Sequence, residues 1–539
     1  MGQGLPKAVT SVVVERHAGP LFRVGMAEMN GWRAGMEDTH VVVARDDWGF
    51  FGVFDGHGGT QCSAFIAQRF EEELSQGPVP ADDAAITSLA LRVDAEYLKS
   101  EQPSGSTGTF VFVKPSEAGG KHVLRVGNVG DSRVLLGRLD GSLVEGPGTD
   151  GALTTDHKPD HPSEKERIER TGGNVQEVMG VARVNGDLAV SRAFGDAQYK
   201  QTGGPAQEDR PVSAAPELLT MACEATDFLM LVCDGISEGE FPNREVVARA
   251  ARELRDGGKA PDPGAAAISV CREALKCGSK DNLSCMIVMF GPGDLPNTGK
   301  MLLPGPFSFP ENRSFREAYA AMAKRVDFSL PQAVEMRYDL AKQEMANNED
   351  KDDFEKSELQ TELAAFGKGP LENLEVGSAE RTEWFGNWLD EYIGSKTAVP
   401  GSSSSTAMQD QLLEIFQDNP EFWAAAQSQG LLSGQRRQVQ VVDSEQLRDL
   451  VAETPAVQWE ERLSEYGGQR GFVTQDDASD GTSKVRLCRD GIPKAENIWL
   501  PTCALIEVTE EDEASGGPQP DVEASTVEQG GDEELTEGN

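Results

Sequence analysis

The segment WGFFGVFDGHGG, residues 48–59, decides how this chain folds and what it gathers. Phe50 to Phe54 is an apolar run of strand length that stops on Asp55. A carboxylate at the mouth of a buried strand is destabilising unless it meets a partner. Gly56, Gly58 and Gly59 let the backbone turn sharply there and bring a carbonyl close to a ligand. Such a combination suits an oxygen-rich metal site, not a core.

The pattern recurs. FLMLVC, residues 228–233, runs into Asp234-Gly235, and Lys280-Asp281-Asn282 precedes the apolar run SCMIVMF at 284–290. A single Asp-Gly is ordinarily a turn. Three Asp residues at strand ends are different, because strand ends cluster at the rim of a packed sheet. Carboxylates remote in sequence can meet there.

The 539 residues carry a net charge of −40, which disfavours nucleic acid and anionic membrane as partners. An anionic substrate must then be drawn in by a local positive centre such as bound metal. No apolar run approaches the roughly 18 residues of a membrane span, and no basic-then-apolar signal opens the chain. The eight Cys are scattered without a CxxC pair, as expected of reduced thiols in a cytosolic protein. Cytoplasmic placement, with the nucleus as second choice, is therefore expected. Met1-Gly2 begins an acylation signal, but Pro6 stands where Ser or Thr is wanted, so Gly2 is an incomplete N-myristoylation candidate.

Strands are predicted over Val9–Val14, Phe22–Ala27 and Val41–Arg45. NGWRAGMEDTH, residues 30–40, leads into the last of these and carries Arg33, Glu37 and Asp38. Apolar spacing predicts helices over Thr60–Leu74, Asp82–Ser100, Asn243–Arg255 and Pro263–Cys277. His122–Val126 and Arg133–Gly137 read as a hairpin whose turn, GNVGDS, places Asp131 at a strand boundary. The first domain is expected over 9–292, closed by a Pro/Gly linker at 291–310. A helical extension follows at 311–395, then GSSSST at 401–406 and an amphipathic helix at 407–430. Short alternating strands with barrel-like turn spacing fill 438–508 and look SH3-like, a candidate partner-docking module. Residues 509–539 read as an acidic, disordered tail.

Taken together and in order, GWRAGMEDTH, FFGVFDGHGG, SGSTG, GNVGDSR, TDHKP, RVNGDLAVSRAFGD, LVCDGISE and GSKDNLS resemble the type 2C, metal-dependent protein serine/threonine phosphatases. The likeness covers Phe22 to Phe290. It implies an α+β fold, a four-layer α-β-β-α sandwich of two mostly antiparallel sheets with metals at one end. It implies two Mg²⁺ or Mn²⁺ ions bridged by Asp55, with the Gly56 carbonyl on one and Asp234 and Asp281 on the other. Glu37 and Asp38 would act on the ions largely through water. Arg33 would clamp the substrate phosphate and His57 would be the general acid. Asp131 and Asp234 match the family's ligands for a third ion. Glu238 stands where the family commonly has Asp, and its longer arm alters that third site.

The chemistry needs these groups. Phosphate monoesters hydrolyse very slowly unaided. Two hard cations can aim a water in line at phosphorus, the planar Arg33 fork matches two phosphate oxygens, and a proton donor assists a poor alkoxide leaving group. Phosphoproteins are the expected partners, and a monomer is the expected state. The competing expectation is a phosphatase-like scaffold that binds phosphoproteins through its C-terminal modules, but the complete carboxylate set favours turnover. His157 and His161 read as loop residues, and no Cys sits in a CxxxxxR loop.

Overall fold

The computed structural model describes residues 5–116, 119–204, 206–237, 239–256, 260–347, 353–371, 373–397, 438–443, 447–448, 450–451, 470–477, 482–487, 496–501 and 505–507. The chain divides into two compact units, Met1–Val399 and Pro400–Asn539.

Two antiparallel sheets face each other in the first unit. One runs, in spatial order, β16 (Gly299–Leu303), β1 (Val9–Ala18), β2 (Phe22–Gly31), β15 (Leu283–Phe290), β14 (Asp227–Val232) and β9 (Arg133–Arg138). The other runs β13 (Glu217–Glu224), β8 (Lys121–Val129), β7 (Gly108–Pro115), β4 (Gly49–Phe54) and β3 (Thr39–Ala44). A small ribbon at the rim joins β12 (Phe194–Gly195), β6 (Gly105–Ser106) and β5 (Gly56–His57). A hairpin, β10 (Val175–Val178) and β11 (Val181–Val184), stands apart from both sheets.

Helices α1 (Gln61–Gln76) and α2 (Asp83–Tyr97) cover the five-stranded sheet. The short α3 (Pro162–Arg170) and α4 (Asp234–Ser237) lie near the rim, and α5 (Asn243–Asp256) and α6 (Pro263–Lys276) cover the six-stranded sheet. This layering explains the continuous apolar run of β4. Phe51 and Val53 enter the core between the sheets, where Phe51 meets Phe22 edge-on at 5.2 Å. Phe50 and Phe54 point the other way, into the aromatic cluster with Phe70 and Phe110. A strand buried on both faces has no reason to alternate. At Gly25 a Cβ would collide with the backbone of Pro263 and Gly264, so α6 can lie directly on β2 only because Gly25 lacks one.

Two expectations are corrected. Residues 122–126 and 133–137 do not form a hairpin: β8 pairs with β7 and β13, while β9 pairs with β14 in the opposite sheet. The GNVGDS segment crosses the sandwich instead of turning within a sheet. Nor is 291–310 a linker that ends a domain. β16 pairs with β1, and Leu302 and Phe307 are buried with Val9 and Val13 against α7 (Arg313–Lys324). Tyr319 of α7 donates its hydroxyl hydrogen to the Gly305 carbonyl at 2.8 Å. The expected extension, α7 with α8 (Leu330–Ala346), α9 (Asp353–Ala365) and α10 (Ala379–Thr397), therefore belongs to the first unit. Pro and Gly there set an edge strand and a close approach, which composition alone cannot separate from a flexible spacer.

In the second unit β17 (Gln438–Val441), β18 (Arg470–Asp477), β19 (Thr482–Leu487), β20 (Glu496–Pro501) and β21 (Leu505–Glu507) form one antiparallel sheet, ordered β20-β19-β18-β17-β21. Gly2, the helix expected at 407–430 and the tail at 509–539 lie outside the described residues.

Candidate metal and phosphate site

The strand ends converge. Asp55 follows β4, Asp234 follows β14 and opens α4, Asp281 precedes β15, and Asp131 lies between β8 and β9. Asp55, Gly56, His57, Asp131, Asp234, Asp281 and Arg33 all line one cleft of about 380 Å³, which is also lined by Arg183 of β11 and by Asp187 just after that strand. A larger hollow of about 650 Å³ on the helical extension also gathers carboxylates, but Glu358 is paired with Lys7, and Glu344 and Glu362 with Arg337.

The carboxylates disturb one another strongly. Asp55 is pushed well above the usual carboxylate range, first by the protein packed around it and then by Asp38, Asp234, Asp281 and Asp131. Asp234 rises to about 8 through desolvation, Asp131 and Asp281. Asp38 rises to about 7, mainly through burial. Both of its oxygens are buried and close no hydrogen bond of standard geometry, while the Ser284 hydroxyl and Cys233 thiol lie near enough to favour its charge. Cations answer part of this charge. Arg33 pairs with Asp281 and Lys158 with Asp131. Burial works to lower the Arg33 pKa, but Asp281, Asp55 and Asp234 raise it overall.

As they stand, no three His, Cys, Asp or Glu side chains among the described residues close into a ligand cage. The carboxylates instead line a cleft, with Asp281 drawn to Arg33 and Asp131 to Lys158. Surplus negative charge, Asp38 oxygens that close no hydrogen bond of standard geometry and an all-oxygen donor set fit hard divalent cations such as Mg²⁺ or Mn²⁺. Glu37 and Asp38 are not among the residues that line the cleft. Glu238 lies outside the described residues.

Three contributors escaped the sequence reading. Asn282 accepts from the Glu37 amide at 2.9 Å and donates to the Asn30 and Gly35 carbonyls at 2.8 and 3.0 Å, so it ties the Arg33 loop to the segment that carries Asp281 into β15. Lys158, in TDHKP, is the partner of Asp131. Asp196, the last residue of SRAFGD, places Oδ2 2.7 Å from His57 Nε2. The ribbon makes that contact: β6 pairs with β5 on one side and β12 on the other. A Cβ on Gly105 would overlap both Asp196 Oδ2 and His57 Nε2. Asp196 is buried and left-handed at φ 53°, a strained conformation for a non-glycine residue. Nearby, the buried Lys200 Nζ and the Gly195 amide both donate to Asp94 Oδ1 at 2.8 Å, anchoring the loop to α2. Burial alone would lower the His57 pKa, but Asp196 raises it overall.

His157, one of the two histidines read as loop residues, serves the structure of the rim. Its Nδ1 accepts from the Gly130 amide at 3.0 Å, so it shapes the turn that carries Asp131.

The protein phosphatase 2C family model matches residues 22–283. Mouse protein phosphatase 1B is 33% identical over 318 residues, covering 54% of this chain and 76% of that protein. The chain belongs to the protein phosphatase 2C family. The human protein phosphatase 1B is 32% identical over the same length, and the match spans 62% of it. A solved phosphatase from Toxoplasma gondii, 27% identical, overlays 55% of this chain and all of its own with a TM-score of 0.48. Phosphatases of the 2C family are metal-dependent, generally with Mg²⁺ or Mn²⁺, which agrees with the donor set found here.

An Asp196→Asn variant tests the His57 contact. We expect turnover of phenyl phosphate, whose leaving group needs a proton, to fall roughly 10²-fold while p-nitrophenyl phosphate turnover changes little. Equal losses on both esters would mean that Asp196 only supports the loop.

Proposed function

We propose that this chain hydrolyses phosphoserine and phosphothreonine on proteins, directly to water, with two Mg²⁺ or Mn²⁺ ions. The observation that carries the proposal is the shared cleft: strand-terminal carboxylates from three remote segments meet there with Arg33 and His57. Asp55, the Gly56 carbonyl, Asp234 and Asp281 would hold the ions, with Asp38 and Glu37 behind them. Bound there, the ions supply charge neutralisation and an activated water. Arg33, released from Asp281 as phosphate arrives, offers its planar fork to two phosphate oxygens. His57, oriented by Asp196, gives a proton to the departing Ser or Thr oxygen. A third ion at Asp131 and Asp234 would have to compete with the Lys158 ammonium.

We read 438–508 as an SH3-like docking module. Support comes from the strand order β20-β19-β18-β17-β21, a three-stranded meander whose outer strand is followed by the first and last strands of the module. One assay series addresses both readings. Full-length protein should turn over p-nitrophenyl phosphate with added Mn²⁺, lose activity to chelator and regain it with excess metal. A chain ended at Val399 should keep that activity and change its choice among phosphoproteins. Absence of metal-dependent turnover would leave the phosphoprotein-binding scaffold; equal loss on small and protein substrates would remove the docking role.

A further inference from the structure

Asp38 is 1% exposed, and neither carboxylate oxygen closes a hydrogen bond of standard geometry. With so little hydrogen bonding to the carboxylate itself, contacts to the Asp38 backbone carry much of its placement. One hold is the β3–β4 pairing that begins next door, at Thr39 opposite Phe54. A second comes from far along the chain. Arg325, at the C-terminal cap of α7, donates from Nη2 to the Asp38 carbonyl at 2.9 Å. The same guanidinium grips Glu28 with a fork, Nε to Oε2 at 2.9 Å and Nη2 to Oε1 at 2.8 Å.

Glu28 is itself fixed. Its side chain is 2% exposed, and Oε1 lies 2.8 Å from His40 Nδ1, whose Nε2 faces Glu15 at 3.1 Å. The end of α7 is fixed too. Asp327 turns left-handed at φ 61°, and the Phe328 amide donates back to the Ala323 carbonyl at 3.1 Å, so Arg325 leaves a closed helix terminus. The guanidinium thus spans two rigid bodies, the end of β2 and the start of β3, from a helix that packs on β1 and β2.

We propose that Arg325 is a positioning residue for Asp38, which makes the helical extension part of the metal-site scaffold. The extension then governs how well the cleft binds divalent cations, and displacing α7 would weaken that binding without touching any ligand. This rests on the two-metal reading of the cleft.

The sign of the effect separates positioning from bare electrostatics. Removing a positive charge near a cation site should strengthen cation binding. Loss of an orienting contact should weaken it, by about tenfold for partners one shell out from the ligands. The test is calorimetric titration of full-length wild type, Arg325→Ala and Arg325→Lys with Mn²⁺ alone, beside the metal-free melting temperature of each. Lysine keeps charge near Glu28 but lacks the fork that also reaches the Asp38 carbonyl. We expect both variants to bind Mn²⁺ about tenfold more weakly, with p-nitrophenyl phosphate turnover recovering at high Mn²⁺. If Arg325→Ala does not fold, Arg325→Lys decides alone. Unchanged or tighter Mn²⁺ binding by a folded variant overturns the proposal. If wild type itself binds no Mn²⁺, the metal reading fails instead.

Discussion

Asp55→Asn should lower metal-dependent turnover of p-nitrophenyl phosphate by at least about a thousandfold, the several kcal/mol expected if Asp55 is a ligand of the proposed ions. The fold should survive. Asp55 anchors the rim with its backbone, whose carbonyl accepts from the Thr107 amide at 2.8 Å and the Ser106 hydroxyl at 3.1 Å, and Asn keeps both bonds. The metal-free variant should also melt higher than wild type above neutral pH. A carboxyl that burial and then four acidic neighbours push far up is destabilising once ionised, and a neutral amide is not. Wild-type turnover in a folded Asp55→Asn protein would defeat the ligand assignment.

Metal-free protein should lose stability as pH rises from about 4 to about 8, and Mn²⁺ should cancel most of that loss. Asp38 and Asp234, ordinarily near 3.8, sit at about 7 and about 8. A group whose pKa is raised by folding binds its proton more tightly in the native state. Its stabilisation is complete below the unfolded value and disappears as pH climbs through the folded one. For the buried Asp38 that change is on the order of 4 kcal/mol. His40, raised to about 9 against the pull of burial by Glu28 and Glu15, adds a loss in the same direction between about 6.5 and 9. Glu28 and Glu164 behave oppositely. Burial alone would raise them, but Arg325 and His40 around the first, and Arg192 and Arg167 around the second, hold each at about 2. Their stabilisation is present above about 4.5 and fades as pH falls through 2. Metal-free melting temperature should therefore peak on the acid side of neutrality. Scanning calorimetry with and without Mn²⁺ checks this, and a metal-free curve flat from pH 5 to pH 8 would contradict it.

Much of the cleft was legible in the linear chain. An apolar run ending on Asp is a local signal, because a strand buried on both faces must be apolar throughout and an Asp at its end must meet a partner. That placed Asp55, Asp234 and Asp281 at a rim. Arg33, Glu37 and Asp38 announced themselves as charges at a strand entrance. Asn282 was visible next to Asp281, but nothing in its neighbourhood shows that its amide reaches Glu37, Asn30 and Gly35. Asp196 stood at the end of SRAFGD with no role assigned to it, since the ribbon that carries it to His57 has strands of only two residues and no periodicity to read. The crossing of GNVGDS between sheets was misread as a hairpin for a related reason: two apolar runs separated by turn residues look the same whether they pair with each other or with others.

The sequence by itself determined the strand-end carboxylates, the apolar layers that bury β4 on both faces, and the family to which the first unit belongs. Only the tertiary structure decided that residues 299–303 complete a sheet edge and that Arg325 reaches Asp38 across 287 positions of chain. Local pattern reports what a segment will bury. It is silent on which remote polar group meets which, because that depends on sheet order and helix placement, and these are set by the packing of the whole unit.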